Sequence, residues 1–134
     1  MPVVKDQTVP VRMETDVVSV RQLVRQWAEQ LHFSLVDQTK LVTAASELAR
    51  NTVIYGRGGT VRLEVHHEGV RTGLRLVFED QGPGIPDVNL ALRDGYTTGS
   101  GLGIGLGGAK RLVNDFVIRS KPGEGTRVAI TRWK

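Results

Sequence analysis

Glu47 and Asn51 stand four residues apart in a stretch that is otherwise largely apolar. At helical spacing they share one face, one turn apart. A carboxylate placed there can take a proton from an attacking hydroxyl or water. An amide oxygen is a hard ligand suited to Mg²⁺. Two solvated residues on an exposed stripe would give the same spacing. Asp80 directly follows an apolar alternating run, and the chain then turns through Gly82-Pro-Gly84. Glycines at a turn let backbone approach a flat ligand with no Cβ in the way. The Asp80 carboxylate can accept a hydrogen bond from an exocyclic amine such as that of adenine. An ordinary turn also favours Asp, Gly and Pro.

Six of the ten residues 99–108 are glycine. Glycine-rich backbone leading into a helix presents several N–H donors to an anion. So many glycines cost folding entropy, which weighs against a purely structural loop and leaves a flexible connector as the plainer reading. Gly103, Gly105 and Gly108 satisfy G-x-G-x-x-G. A dinucleotide fold would need a preceding strand and an acid ~20 residues onward. A loop precedes this run instead, and only 26 residues follow Gly108. The G-K-[ST] of a P-loop is absent, as are the protein-kinase V-A-I-K, H-R-D and D-F-G motifs. Gly123-Glu-Gly-Thr126 makes a turn near the end of the chain, where Thr126 can add a hydroxyl close to phosphates or base.

The elements that must position these groups follow from periodicity. Residues 8–13 alternate and predict a strand. Val17, Val20, Leu23, Val24, Trp27, Ala28 and Leu31 recur at three and four, which predicts a helix over 16–33 with one buried face. Ser34-Leu-Val-Asp37 reads as a capping box, so a second helix should start near Leu35 and run to about Tyr55. Gly56, Gly58 and Gly59 end it. Residues 60–67 and 73–79 alternate around Gly69 and predict an antiparallel hairpin. Between 80 and 103 only residues 88–93 look helical, and such a long irregular stretch is usually functional or disordered. A helix is expected over 104–115, then strands over 116–121 and 126–132. The sum is an α/β two-layer sandwich, one domain over 1–134, with helices on one face of a mostly antiparallel mixed sheet.

A chain of 134 residues with 40% hydrophobic residues can bury a real core. It has no apolar run of ~18 residues and no secretory h-region, so neither membrane nor export is expected. Zero cysteines exclude disulfides and thiolate metal sites. A cytoplasmic location is the expectation. Net charge is +4, but the basic residues are scattered among acids, and seven aromatics offer little stacking surface. Nucleic acid is therefore not the expected partner.

Taken in order, the four motifs resemble the N, G1, G2 and G3 boxes of the GHKL ATPase and kinase superfamily, whose ATP-binding domain is the Bergerat fold. The expectation is against a sensor histidine kinase, because no helix with a phosphoacceptor His precedes the boxes. A gyrase or Hsp90 type would need a transducer domain. What is left is the group of small serine/threonine kinases and anti-sigma factors. Within it the chain resembles the RsbT-type stressosome switch kinases. The resemblance is carried by Val36-Asp-Gln38, Ser46-Glu-Leu-Ala-Arg-Asn51, Glu79-Asp-Gln-Gly-Pro-Gly-Ile-Pro-Asp87 and Asp94-Gly95. It continues through Gly101-Leu-Gly103, Gly105-Leu106, Lys110-Arg-Leu112 and Gly123-Glu-Gly-Thr126. The glycine box extends through Gly107 and Gly108, where the RsbW and SpoIIAB types are shorter.

The resemblance implies a serine/threonine kinase using ATP and Mg²⁺. Glu47 would be the general base and Asn51 the metal ligand. Asp80 would read the adenine amine, with Gly82 and Gly84 letting the nucleotide lie close. Gly101, Gly103 and Gly105 would offer amides to the phosphates, with Thr126 nearby. The roles of residues 96–100 stay open. Implied partners are STAS-domain scaffold or antagonist proteins and, after switching, a PP2C-type phosphatase. A homodimer is one assembly it allows. The alternatives are an anti-sigma factor of the RsbW/SpoIIAB type and a nucleotide-dependent binding module without catalysis.

Overall fold

A computed structural model describes residues 3–93 and 105–134. The first strand, β1 (Val3–Val11), leads into α1 (Glu14–Gln30) and α2 (Leu35–Ile54). A hairpin of β2 (Gly59–Glu68) and β3 (Arg71–Asp80) follows, then the short α3 (Val88–Ala91). The chain finishes with α4 (Gly105–Arg111), β4 (Asp115–Ser120) and β5 (Thr126–Trp133). The sheet order is β1-β2-β3-β5-β4. Every pairing is antiparallel among the described residues, so the expected mixed sheet has no parallel member there.

Strand alternation aims one set of side chains at the helices. Val61, Leu63 and Val65 of β2 stand opposite Phe78, Leu76 and Leu74 of β3. Phe78 and Leu76 then face Val128 and Ile130 of β5. These side chains meet Val20, Val24 and Ala28 from α1 and Leu41, Ala45, Leu48 and Ala49 from α2 in a contiguous core. Burying a leucine such as Leu41 or Leu48 is worth about 1.5–3 kcal/mol, so the helical layer is held mainly by this face. Among the described residues no helix is long and apolar enough to cross a membrane.

The helix ends show how local chemistry sets the boundaries. Arg12 and Met13 amides donate to the Asp16 carboxylate, which starts α1 two residues before the expected 16. Its other end closes at Gln30, not Phe33. His32 adopts a left-handed φ of 63°, its N–H bonds Glu29 O, and the Phe33 N–H bonds Ala28 O. That pair of bonds is a Schellman stop, with buried Phe33 as its hydrophobic anchor. Ser34 Oγ accepts from the Asp37 amide as expected. Only half of the capping box forms, because the Asp37 carboxylate accepts from Arg132 Nη2 at 2.7 Å instead. α4 ends at Arg111, short of the expected 115. Asn114 is drawn to β5, its N–H bonding Thr131 O and its Oδ1 accepting from the Trp133 amide. β1 starts at Val3, earlier than the expected 8. Its outer half is an exposed edge with no buried alternation to betray it.

The opposite face of the sheet is polar and paired. Glu64 accepts from Arg62 Nε at 2.7 Å, from Arg75 Nη1 at 3.0 Å, and contacts His66 Nε2 at 2.7 Å. Arg62 also reaches Asp6 on the edge strand at 3.3 Å. Burial pushes the Glu64 carboxyl up, but the hydrogen bonds and charges of His66 and Arg75 outweigh it and hold the group below its ordinary value of 4.5. The Arg132 hydrogen bond, with help from Ser34, holds Asp37 below its ordinary 3.8 against some desolvation.

A depressed folded-state pKa means that the folded chain binds the proton less tightly than the unfolded one. This stabilisation is complete above 4.5 for Glu64 and is lost as pH falls through the lower folded value. The urea midpoint should therefore drop as pH falls below about 4.5, and Glu64→Gln should make that drop shallower. A variant profile as steep as that of the unaltered chain would contradict the assignment.

Candidate functional site

A cavity of about 740 Å³ opens between the second half of α2, the far ends of β3 and β5, and the loop after β3. That volume lies within the range of small-molecule sites, roughly 300–1,000 Å³. Its wall includes Glu47, Asn51, Asp80, Gly84, Gly105 and Thr126. Residues from all four motifs thus meet at one place. Gly101 and Gly103 lie outside the described residues, as do Asp94, Gly95 and residues 96–100.

Glu47 is not on a solvated stripe. It is only 6% exposed, on a helix whose buried face is broad because Ala44, Ala45 and Ala49 allow close packing. A buried carboxylate needs a donor. Oε1 finds one in the Gly105 N–H at 3.1 Å, the first residue of α4. That single bond ties α2 to the helix that follows the glycine run. Gly105 makes it at a φ of 71°, a conformation most side chains resist. Asn51, one turn on, is partly exposed and lines the cavity, and its carbonyl accepts the amides of Tyr55 and Gly56 to finish α2.

Asp80 closes β3 on the cavity floor. In the sheet it stands opposite Gly59 on one side and Thr126 on the other. Its Oδ1 accepts from the Gly82 N–H at 2.9 Å. Three glycines from separate segments surround it. A Cβ on Gly56 would strike the Asp80 side chain, and one on Gly125 would strike the Asp80 carbonyl oxygen. One on Gly82 would come within 2.7 Å of Gly56 O. Gly82 therefore packs beneath Asp80 and does not line the cavity, whereas Gly84 does. Thr126 Oγ1 lies 2.8 Å from Ser120 Oγ, which donates to Gly125 O and accepts from the Ile85 N–H. Ser120 thus fastens the loop after β3 to the last hairpin.

Spacing alone marks Gly56 only as a helix stop and Gly125 only as a member of the Gly123-Glu-Gly-Thr126 motif. Their contact with Asp80 is tertiary, and nothing local signals it. Ser120 carried no signal at all. Pro83, Ile85 and Leu90 supply apolar wall that a flat base can lie against. The donor set fits a nucleotide: a carboxylate acceptor on an apolar floor, and an amide and a carboxylate one helical turn apart.

Fold and site define a nucleotide-binding α/β domain of the ATPase type. The profile of the Histidine kinase-, DNA gyrase B-, and HSP90-like ATPase family matches residues 36–134. The chain is 44% identical to the serine/threonine-protein kinase RsbT of Bacillus subtilis over 125 residues, 93% of this chain and 94% of that one. It is 29% identical to the anti-sigma F factor of Clostridium kluyveri, over 84% of this chain and 82% of that one. The solved RsbU and RsbW domains of Rv1364c from Mycobacterium tuberculosis superpose with a TM-score of 0.67 at 20% identity. That match covers 97% of this chain and 33% of that one, and it speaks for the fold. The chain belongs to the histidine kinase-, DNA gyrase B- and HSP90-like ATPase family and, within it, is a serine/threonine-protein kinase of the RsbT type.

Gly84 offers a direct check of the site's construction. It has a φ of +78°, and a Cβ there would strike the Lys121 carbonyl oxygen. Gly84→Ala should cost about 1–3 kcal/mol in urea unfolding and weaken nucleotide binding together. Unchanged stability would show that the loop after β3 is not seated as described.

Proposed function

We propose that this domain, over residues 1–134, transfers the terminal phosphoryl group of Mg-ATP to a serine or threonine of STAS-domain scaffold or antagonist proteins. After that transfer it exchanges partners and activates a PP2C-type phosphatase. The observation that carries the kinase reading is Glu47, buried beside the cavity and one helical turn from Asn51. Bound Mg-ATP would supply the electrophilic phosphoryl group and, through the metal, much of the charge neutralisation that such transfers require.

The chain's own residues have distinct tasks. Glu47 accepts the proton of the attacking hydroxyl as the new O–P bond forms and the bond to the departing ADP breaks. Asn51 presents its amide oxygen to the metal. Asp80 accepts from the adenine amine, and the three glycines around it hold the carboxylate in place. Gly84 lets the loop lie flat against the base, and Thr126 adds a hydroxyl beside Asp80. Gly105, with Gly101 and Gly103, offers backbone amides to the phosphates. For Gly105 that means exchanging Glu47 for the ligand, which would free Oε1 for the hydroxyl proton. A switch of hydrogen-bond partner at that one amide would couple nucleotide arrival to activation of the base.

The STAS and phosphatase partners are supported by similarity to RsbT at 44% identity. We place the reaction in the cytoplasm, where Mg-ATP is at hand. The reading as an anti-sigma factor has one observation in its favour, the 29% identity to anti-sigma F factors. It shares the same nucleotide site, and capture of a sigma subunit in place of a phosphatase would favour it.

Radiolabelled ATP with a cognate STAS protein should yield phosphoserine or phosphothreonine. Glu47→Gln should lower that rate by about 10²–10⁴-fold while leaving nucleotide affinity within a few-fold. Asp80→Asn should instead abolish detectable nucleotide binding. Transfer by Glu47→Gln at the unaltered rate would remove Glu47 from the role of base.

A further inference from the structure

Cations are scarce around this cavity. Among the described residues four acidic side chains line it, Glu14, Glu47, Asp80 and Asp87, and a single basic one, Arg50. The segment 92–104, which joins α3 to α4, carries one basic residue in its sequence, Arg93, and Arg93 does not line the cavity. A triphosphate brings several further negative charges, and the transferring phosphoryl spreads charge over its equatorial oxygens. One metal ion at Asn51 offsets only part of this.

Arg50 is placed to supply the rest. It follows Glu47 by three residues and precedes Asn51, so it projects from the same turn of α2 as the base and the metal ligand. It is exposed, and no hydrogen bond or ion pair engages it among the described residues. It also lines a second groove of about 320 Å³ between α1 and α2, with Thr15, Val18, Arg21 and Ser46. Glu14, Arg50 and Ile54 border both spaces. Arg50 therefore borders both the cavity and the groove, on the turn of α2 that carries Asn51. A guanidinium there presents a planar fork of donors that matches phosphate oxygens, which a lysine ammonium does not.

We infer that Arg50 is a catalytic residue for phosphoryl transfer: its guanidinium contacts the terminal phosphate of bound ATP and neutralises charge as that group moves to the protein hydroxyl. The inference rests on the kinase reading above and goes beyond it, because it assigns discrimination between ATP and ADP to this one side chain. ADP lacks the group Arg50 would contact, so the side chain should matter little to ADP.

The test is calorimetric titration of the full chain, Arg50→Ala and Arg50→Lys with Mg²⁺ and either ADP or a nonhydrolysable ATP analogue. For Arg50→Ala we expect ADP affinity within about threefold of the unaltered chain and analogue affinity lower by about tenfold or more. Phosphotransfer to a STAS protein should fall by at least the same factor, and Arg50→Lys should restore part of each loss. Retained ADP binding doubles as the control for folding. Equal weakening toward both nucleotides, or none toward either, would overturn the inference by leaving Arg50 a structural or solvated role. Failure of the unaltered chain to bind any nucleotide would instead sink the kinase reading itself, and the two failures cannot be confused.

Discussion

The structure is organised around how tightly backbone can approach Asp80. Gly56 follows the helix that carries Glu47 and Asn51, Gly82 lies in the loop after β3, and Gly125 ends the final turn. Each sits where a Cβ would collide with Asp80 or with its neighbours. These contacts draw the C-terminus of α2, the end of β3 and the start of β5 to one point. The cavity exists because those three ends converge without side chains between them. A methyl group at any of the three positions would push an element outward and misplace a functional side chain carried on a different one.

A second constraint acts on Glu47. A carboxylate nine-tenths buried is costly unless it is hydrogen-bonded. Here the donor is the backbone of α4 and not a basic side chain. An ion pair would hold the carboxylate ionised and engaged. An amide that could turn to a phosphate leaves it available. Elsewhere the fold does use ion pairs, as at Arg132 with Asp37 and at Glu64 with its two arginines, and those clusters lie on the sheet face or at the helix starts. The contrast sets the ion pairs that fix the scaffold apart from Glu47, which rests on a backbone donor.

Much of the fold was legible because periodicity records burial. The threefold and fourfold spacing in α1 and α2 and the alternation in β2 and β3 each reflect one face against the core. Boundaries were less legible where tertiary bonds decided them. Asn114 leaves α4 for β5, and His32 takes a left-handed turn that no glycine announces. Glu64 and His66 fall on the solvent side of the alternation, yet both are buried, Glu64 against Arg62 and Arg75 and His66 against Glu64. In the site, spacing singles out Glu47, Asn51 and Asp80, and all three line one cavity. It could not show that Gly82 supports Asp80 instead of facing the cavity, since that depends on where Gly56 lies.

The central claim is that one pocket sets purine recognition at Asp80 apart from metal binding at Asn51. The most direct measurement is a crystal structure of the chain with Mg²⁺ and a nonhydrolysable ATP analogue. The account predicts the adenine amine within hydrogen-bonding distance of Asp80 and the metal bound to the Asn51 side chain, with Glu47 freed from the Gly105 amide. A nucleotide seated elsewhere, or one in this cavity that touches neither Asp80 nor Asn51, would contradict it.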